Sequence, residues 1–88
     1  MVRRRVIVRG RVQGVGFRYA VERAAVSRGV AGWVRNRPDG SVEAVFEGTP
    51  EAVESLVLLC EQGPRGAEVR EIEATAEEPE GLSRFDVR

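Results

Sequence analysis

Residues 6–25 read Val-Ile-Val-Arg-Gly-Arg-Val-Gln-Gly-Val-Gly-Phe-Arg-Tyr-Ala-Val-Glu-Arg-Ala-Ala, and the spacing of apolar positions changes halfway along. Val6, Val8 and Val12 alternate with Ile7, Arg9 and Arg11, which is the spacing of a strand with one buried face, expected over roughly residues 4–12. Gly10 interrupts that face, as a glycine does where a second layer comes close; a helix above the sheet is the expected neighbour. Gly14 and Gly16 break the strand. From Phe17 the repeat is helical: Phe17, Ala20, Val21, Ala24 and Ala25 share one side, and Gly29 supplies a stop.

Downstream, Val30–Arg37 and Ser41–Glu47 read as strands two and three. The turn between them, Arg37-Pro38-Asp39-Gly40, is short enough to force a hairpin. Thr49 offers an N-cap, Pro50 fits the first helical position, and Val53, Leu56, Val57 and Cys60 follow a helical stripe that Gly63-Pro64 ends. A fourth strand is expected near 67–76; its alternation slips between Val69 and Ile72, the mark of a β-bulge. Phe85-Asp86-Val87 suggests a short last strand. The order β-α-β-β-α-β plus a tail strand predicts one domain over 1–88. With right-handed crossovers it is a ferredoxin-like α+β sandwich: two helices on one face of an antiparallel sheet, with a short extra C-terminal strand.

Composition narrows the chemistry. The chain has 88 residues, no histidine and one cysteine, which excludes an internal disulfide, a cysteine metal cluster and a histidine-based catalytic triad. Cys60 falls on the apolar stripe and is expected in the core. Residues 1–40 carry ten arginines against Glu22 and Asp39, whereas residues 41–88 carry four against twelve acids. Either the basic half meets an anionic ligand or nucleic acid, or the two halves interleave in one sheet and neutralise each other. The glutamates at 71, 73, 77, 78 and 80 read as solvated surface. Only Val6-Ile7-Val8 separate Arg3-Arg4-Arg5 from Arg9, so there is no apolar export segment, and a cytoplasmic protein without a membrane partner is expected.

The turn after strand one offers an anion cradle. Gly14 and Gly16 permit backbone angles that gather N–H groups, and the helix start adds unpaired donors and the positive end of its dipole. Arg18 stands where a cation is unfavourable unless an anion arrives, and its planar fork suits phosphate. A plain strand–helix turn would also use two glycines. A dinucleotide fingerprint fails because position 19 is Tyr19, and a P-loop starting at Gly10 fails because position 15 is Val15. Asn36 could bind a ligand or simply bond the Asp39-Gly40 turn. Trp33 reads as packing or as a pocket wall, and Tyr19 could line the entrance.

Gly10-Arg11-Val12-Gln13-Gly14-Val15-Gly16-Phe17-Arg18 resembles the phosphate-loop signature of the acylphosphatase family. Gly32-Trp33-Val34-Arg35-Asn36-Arg37-Pro38-Asp39-Gly40-Ser41-Val42 resembles its second signature. The resemblance covers essentially the whole chain and is weakest from about 64 to 82. It implies hydrolysis of the carboxyl–phosphate bond of acyl phosphates without metal or cofactor, with inorganic phosphate as product or inhibitor. It also implies a phosphate-binding loop of Gln13, Gly14, Val15, Gly16, Phe17 and Arg18, with catalysis by Arg18 and by Asn36, which orients water. A free-standing monomeric enzyme is expected. Two rivals remain: a non-catalytic anion-binding domain like those found within larger maturation proteins, and an RNA-binding module. The second would need exposed aromatics on the middle strands, where Phe46 reads as core.

Overall fold

In the computed structural model, which describes residues 1–88, the two sequence periods become two layers. The elements are β1 (Val2–Arg11), α1 (Phe17–Ser27), β2 (Ala31–Asn36), β3 (Val42–Gly48), α2 (Pro50–Gln62), β4 (Glu68–Glu77) and β5 (Phe85–Val87). They form one sheet in the order β4-β1-β3-β2-β5. Helix α1 joins two strands with β3 between them, and α2 joins two with β1 between them, as the expected pair of crossovers requires. Thr49 caps α2 by accepting from the Ala52 N–H at 3.2 Å, with Pro50 at the first helical position.

One face of the sheet is apolar because the alternating residues demand it. Val6, Val8, Val34, Val42, Ala44 and Phe46 meet Phe17, Val21, Ala24 and Ala25 of α1 and Val53, Leu56, Val57 and Cys60 of α2 in one cluster. Burial pushes the Cys60 thiol up to about 12, so it serves as an apolar filler and not a nucleophile.

Four features depart from or refine the expected fold. β1 starts at Val2 rather than near residue 4, because Arg3 and Arg5 find acidic partners on neighbouring strands. The slip in β4 is a bulge: Arg9 faces Glu71 while Gly10 faces Val69, leaving Arg70 over. Gly10 lies close to that bulge and not to a helix, since a Cβ there would stand 2.1 Å from the Glu68 main-chain oxygen. β5 pairs parallel with β2, so the sheet is mixed and not wholly antiparallel. Phe85 sets β5 in place, its ring stacked on Phe46 with centroids 6.0 Å apart.

The other face of the sheet carries the interleaved charges. Arg3 pairs with Glu47 at 2.7 Å and with Glu77 at 2.9 Å; Arg5 pairs with Glu77 and Glu43, and Arg35 with Glu43 at 2.7 Å. Glu77 is therefore a shared ion-pair partner and not simply solvated surface. Trp33 packs here under arginines, with the Arg88 guanidinium 4.6 Å from its ring centre. No helix is long and apolar enough to cross a membrane.

Glu47 links this face to β5. Its carboxylate is 1% exposed and accepts from the backbone N–H groups of Glu80, Gly81 and Leu82 at 2.8, 3.1 and 3.0 Å, as well as from Arg3. Burial is the largest influence on its ionisation and opposes it, but these donors together outweigh burial and hold the carboxyl below its ordinary value. Because the folded state then binds this proton less tightly than the unfolded chain, the stabilisation is complete above about pH 4.3 and is lost as pH falls through the lower folded value. Glu47→Ala should cost about 3 kcal/mol in urea unfolding at pH 7, since it strands three N–H groups and part of a buried arginine. The variant should also lose less stability than the parent between neutral and acidic pH; an equal loss would show that Glu47 does not contribute to the acid response.

Candidate active site

The loop between β1 and α1 takes its shape from glycine backbone angles. Gly14 and Gly16 have φ of 73° and 78°, while every non-glycine residue, Val15 included, keeps φ negative. A Cβ at either glycine would meet nothing within 4 Å, so the backbone angle and not a lack of room calls for glycine. Alternating hands of this kind turn successive N–H groups to one side. None of the N–H groups from Gln13 to Tyr19 finds an acceptor within the protein; the first to do so is Ala20, bonded to the Gly16 oxygen at 3.0 Å. Helix α1 starts here with no side-chain cap and no acid in its first turn. The result is a run of free donors at the positive end of a helix.

Phe17, 2% exposed, anchors the first turn of that helix in the core. Its neighbour Arg18 is thereby left at the surface of the cradle. The Arg18 guanidinium pairs with no Asp or Glu side chain and donates from Nη1 to the main-chain oxygen of Arg88 at 3.2 Å. Glu22, one turn further along α1, leaves it unpaired.

Asn36 ends β2 on the helix-side face, opposite Val42. Its amide makes no hydrogen bond within the protein, so it does not serve the turn beside it. Asp39 serves the turn instead: its Oδ1 accepts from the Ser41 N–H at 2.9 Å and from the Ser41 hydroxyl. Arg18 and Asn36 line one cavity of about 350 Å³, together with Gly14, Gly16 and Phe17. Gln13 and Val15 do not line it, and the Gln13 side chain is turned toward the β2–β3 hairpin, where Nε2 donates to the Arg37 oxygen at 2.8 Å and to the Ser41 oxygen at 2.9 Å. Tyr19 stands at the mouth, 62% exposed, with the Arg23 guanidinium 5.5 Å from its ring centre.

Three lining residues escaped the sequence reading: Val12, Glu22 and Val87. Glu22 could have been found from the helical repeat, being four residues beyond Arg18. Val12 is both core and cavity wall. Val87 depends on the parallel pairing of β5 with β2, for which no local signal exists. No three carboxylates or thiols gather anywhere as metal ligands would. The arrangement as a whole can hold a tetrahedral anion against N–H donors and a guanidinium, with a neutral amide lining the same cavity.

Over nearly its whole length the chain is similar to acylphosphatases in sequence and in fold. A family model described as acylphosphatase matches residues 4–87. An acylphosphatase of Synechococcus sp. is 56% identical over 87 residues, covering 99% of this chain and 93% of the relative. One from Gloeobacter violaceus is 57% identical over 86 residues, covering 98% and 92%. The crystal structure of acylphosphatase from Bacillus subtilis superimposes with a TM-score of 0.95 at 45% identity, covering 100% of this chain and 99% of that one. With sequence and fold in agreement over nearly its whole length, the chain belongs to the acylphosphatase family.

Proposed function

We propose that residues 1–88 act as one domain that hydrolyses acyl phosphates to a carboxylate and inorganic phosphate, using neither metal nor cofactor. The observation that carries this reading is the meeting of Arg18, Asn36 and a run of unbonded N–H groups around one cavity. The Gln13–Arg18 loop holds the phosphoryl oxygens through its backbone, and the Arg18 guanidinium neutralises their charge. Arg18 exchanges its contact with the Arg88 oxygen for the substrate. Asn36, with its amide uncommitted, holds the attacking water through one donor and one acceptor.

In the step itself, the water oxygen bonds to phosphorus as the bond from phosphorus to the carboxyl oxygen breaks. The electron pair leaves with the carboxylate, and one water proton passes to a phosphoryl oxygen. A carboxylate is a good leaving group and needs no acid to protonate it. In a loose transition state the protein mainly positions groups and balances charge, which suits a chain without histidine.

Work as a monomer in the cytoplasm, on a small molecule and with no nucleic-acid or membrane partner, completes the proposal. Its support is that the arginines of β1 are largely matched by acids and Trp33 is covered, so the open sheet presents neither a basic stripe nor stacking aromatics.

With benzoyl phosphate and a chelator present, the protein should turn over; absence of turnover would sink the enzymatic reading. Arg18→Ala should lower kcat/KM about a thousandfold and weaken inhibition by inorganic phosphate. Asn36→Ala should lower kcat about a hundredfold while the phosphate inhibition constant stays within about twofold. Guanidinium and amide groups do not change charge between about pH 5 and 8, so kcat should be nearly flat there; a bell with limbs inside that range would rule out this proton route.

A further inference from the structure

The hydrogen-bond ladder that would hold the phosphate loop to Asn36 stops short of both. β1 and β3 pair from Val2↔Gly48 only as far as Val8↔Val42. Beyond Val8, β1 continues along β4 alone, through Arg9, Gly10 and Arg11. The loop that follows and the hairpin end beside Asn36 therefore share no backbone hydrogen bond. What spans the gap is the side chain of Gln13. Its two amide hydrogens reach the carbonyls of Arg37 and Ser41, at 2.8 and 2.9 Å.

Those carbonyls are the ones that define the hairpin end. The Ser41 oxygen also accepts from the Arg37 N–H at 2.9 Å, and the Arg37 oxygen from the Gly40 N–H at 3.1 Å. Gln13 thus fills their second lone pairs and grips the turn at the residue next to Asn36. Both its donors are used, and no other hydrogen bond joins residues 12–17 to residues 36–41.

Resting on the function proposed above, we propose that Gln13 is a positioning residue: it sets the distance between the phosphate cradle and Asn36, and so between the phosphorus and the water. The cradle itself is built from the glycine angles and the anchored Phe17, neither of which depends on Gln13. Removing the tether should leave phosphate binding in place and impair only the alignment of water, and misplacement by about 1 Å is enough to cost about a hundredfold in rate.

The test compares Gln13→Ala, Asn36→Ala and the double variant, with kcat measured per folded molecule and the inhibition constant measured with inorganic phosphate. Gln13→Ala should lower kcat between about tenfold and a hundredfold and leave the phosphate constant within about twofold. In the Asn36→Ala background it should cost nothing further, because the group it positions is gone. Gln13→Glu adds a readout that a scaffolding role would not move. Its ionised carboxylate would face two carbonyl oxygens, whereas the protonated form can donate to one of them, so kcat of this variant should rise as pH falls from 7 to about 5 while the parent stays flat. A Gln13→Ala protein that only melts earlier, with unchanged kcat per folded molecule, would overturn the proposal, as would effects that multiply in the double variant. Failure of the parent to turn over benzoyl phosphate would instead defeat the reading of the site.

Discussion

Phe17 is buried at the point where α1 starts, and the first turn of a helix is where N–H groups lack intrahelical acceptors. Fixing that turn in the core therefore fixes a set of unpaired donors at the surface. A side chain able to cap them would quench the site, but Gly16 stands at the cap position and no acid occupies the first turn. Arg18 follows directly and adds a charge where the dipole opposes it. The Arg88 oxygen accepts from the Arg18 guanidinium, and in the function proposed above an anion takes up both that guanidinium and the free N–H groups. The chemistry proposed for the cavity rests on this withheld capping.

The remaining elements bring the second half of the site to the first. The β-α-β unit of β1, α1 and β2 places the end of β2 beside the start of α1, with β3 between the strands as spacer. β5 then lies along β2 and contributes Val87 to the cavity wall. Its approach is governed from the far side of the sheet, where Glu47 collects the N–H groups of the incoming loop. Acid–base pairing on one face and apolar packing on the other thus meet at the same short strand. The charge asymmetry between the two halves of the chain is mostly structural: the basic strand β1 lies between strands that carry the acids.

Much of this was legible in the residues. The change of repeat at Phe17, the Pro-Asp-Gly turn and the Thr49-Pro50 cap are local signals, and each lies where its chemistry requires. The glycine pair and Arg18 can be read as an anion cradle or as a simple turn, and the structure adds that the N–H groups from Gln13 to Tyr19 are unbonded within the protein. Asn36 was ambiguous for a physical reason: an asparagine beside a turn can cap it, and only the structure shows Asp39 in that role. The illegible parts depend on partners distant in sequence. Three successive arginines do not look like a strand until Glu43, Glu47 and Glu77 stand beside them. Gln13 read as one more residue of the loop, since nothing nearby reveals that its amide reaches carbonyls 24 and 28 positions away. Parallel pairing of a three-residue strand leaves no periodic trace at all.

In the function proposed above, the backbone donors of the β1–α1 loop, with Arg18, form the anion site. Titrating the isotopically labelled protein with inorganic phosphate, while following each backbone amide and the arginine side chains by NMR, addresses it most directly. Saturable shifts are expected, concentrated in the amides of Val15, Gly16, Phe17 and Arg18 and in the Arg18 guanidinium, and lost in Arg18→Ala. Shifts that leave this loop unmoved, or that gather instead on the arginines of the open sheet face, would contradict it.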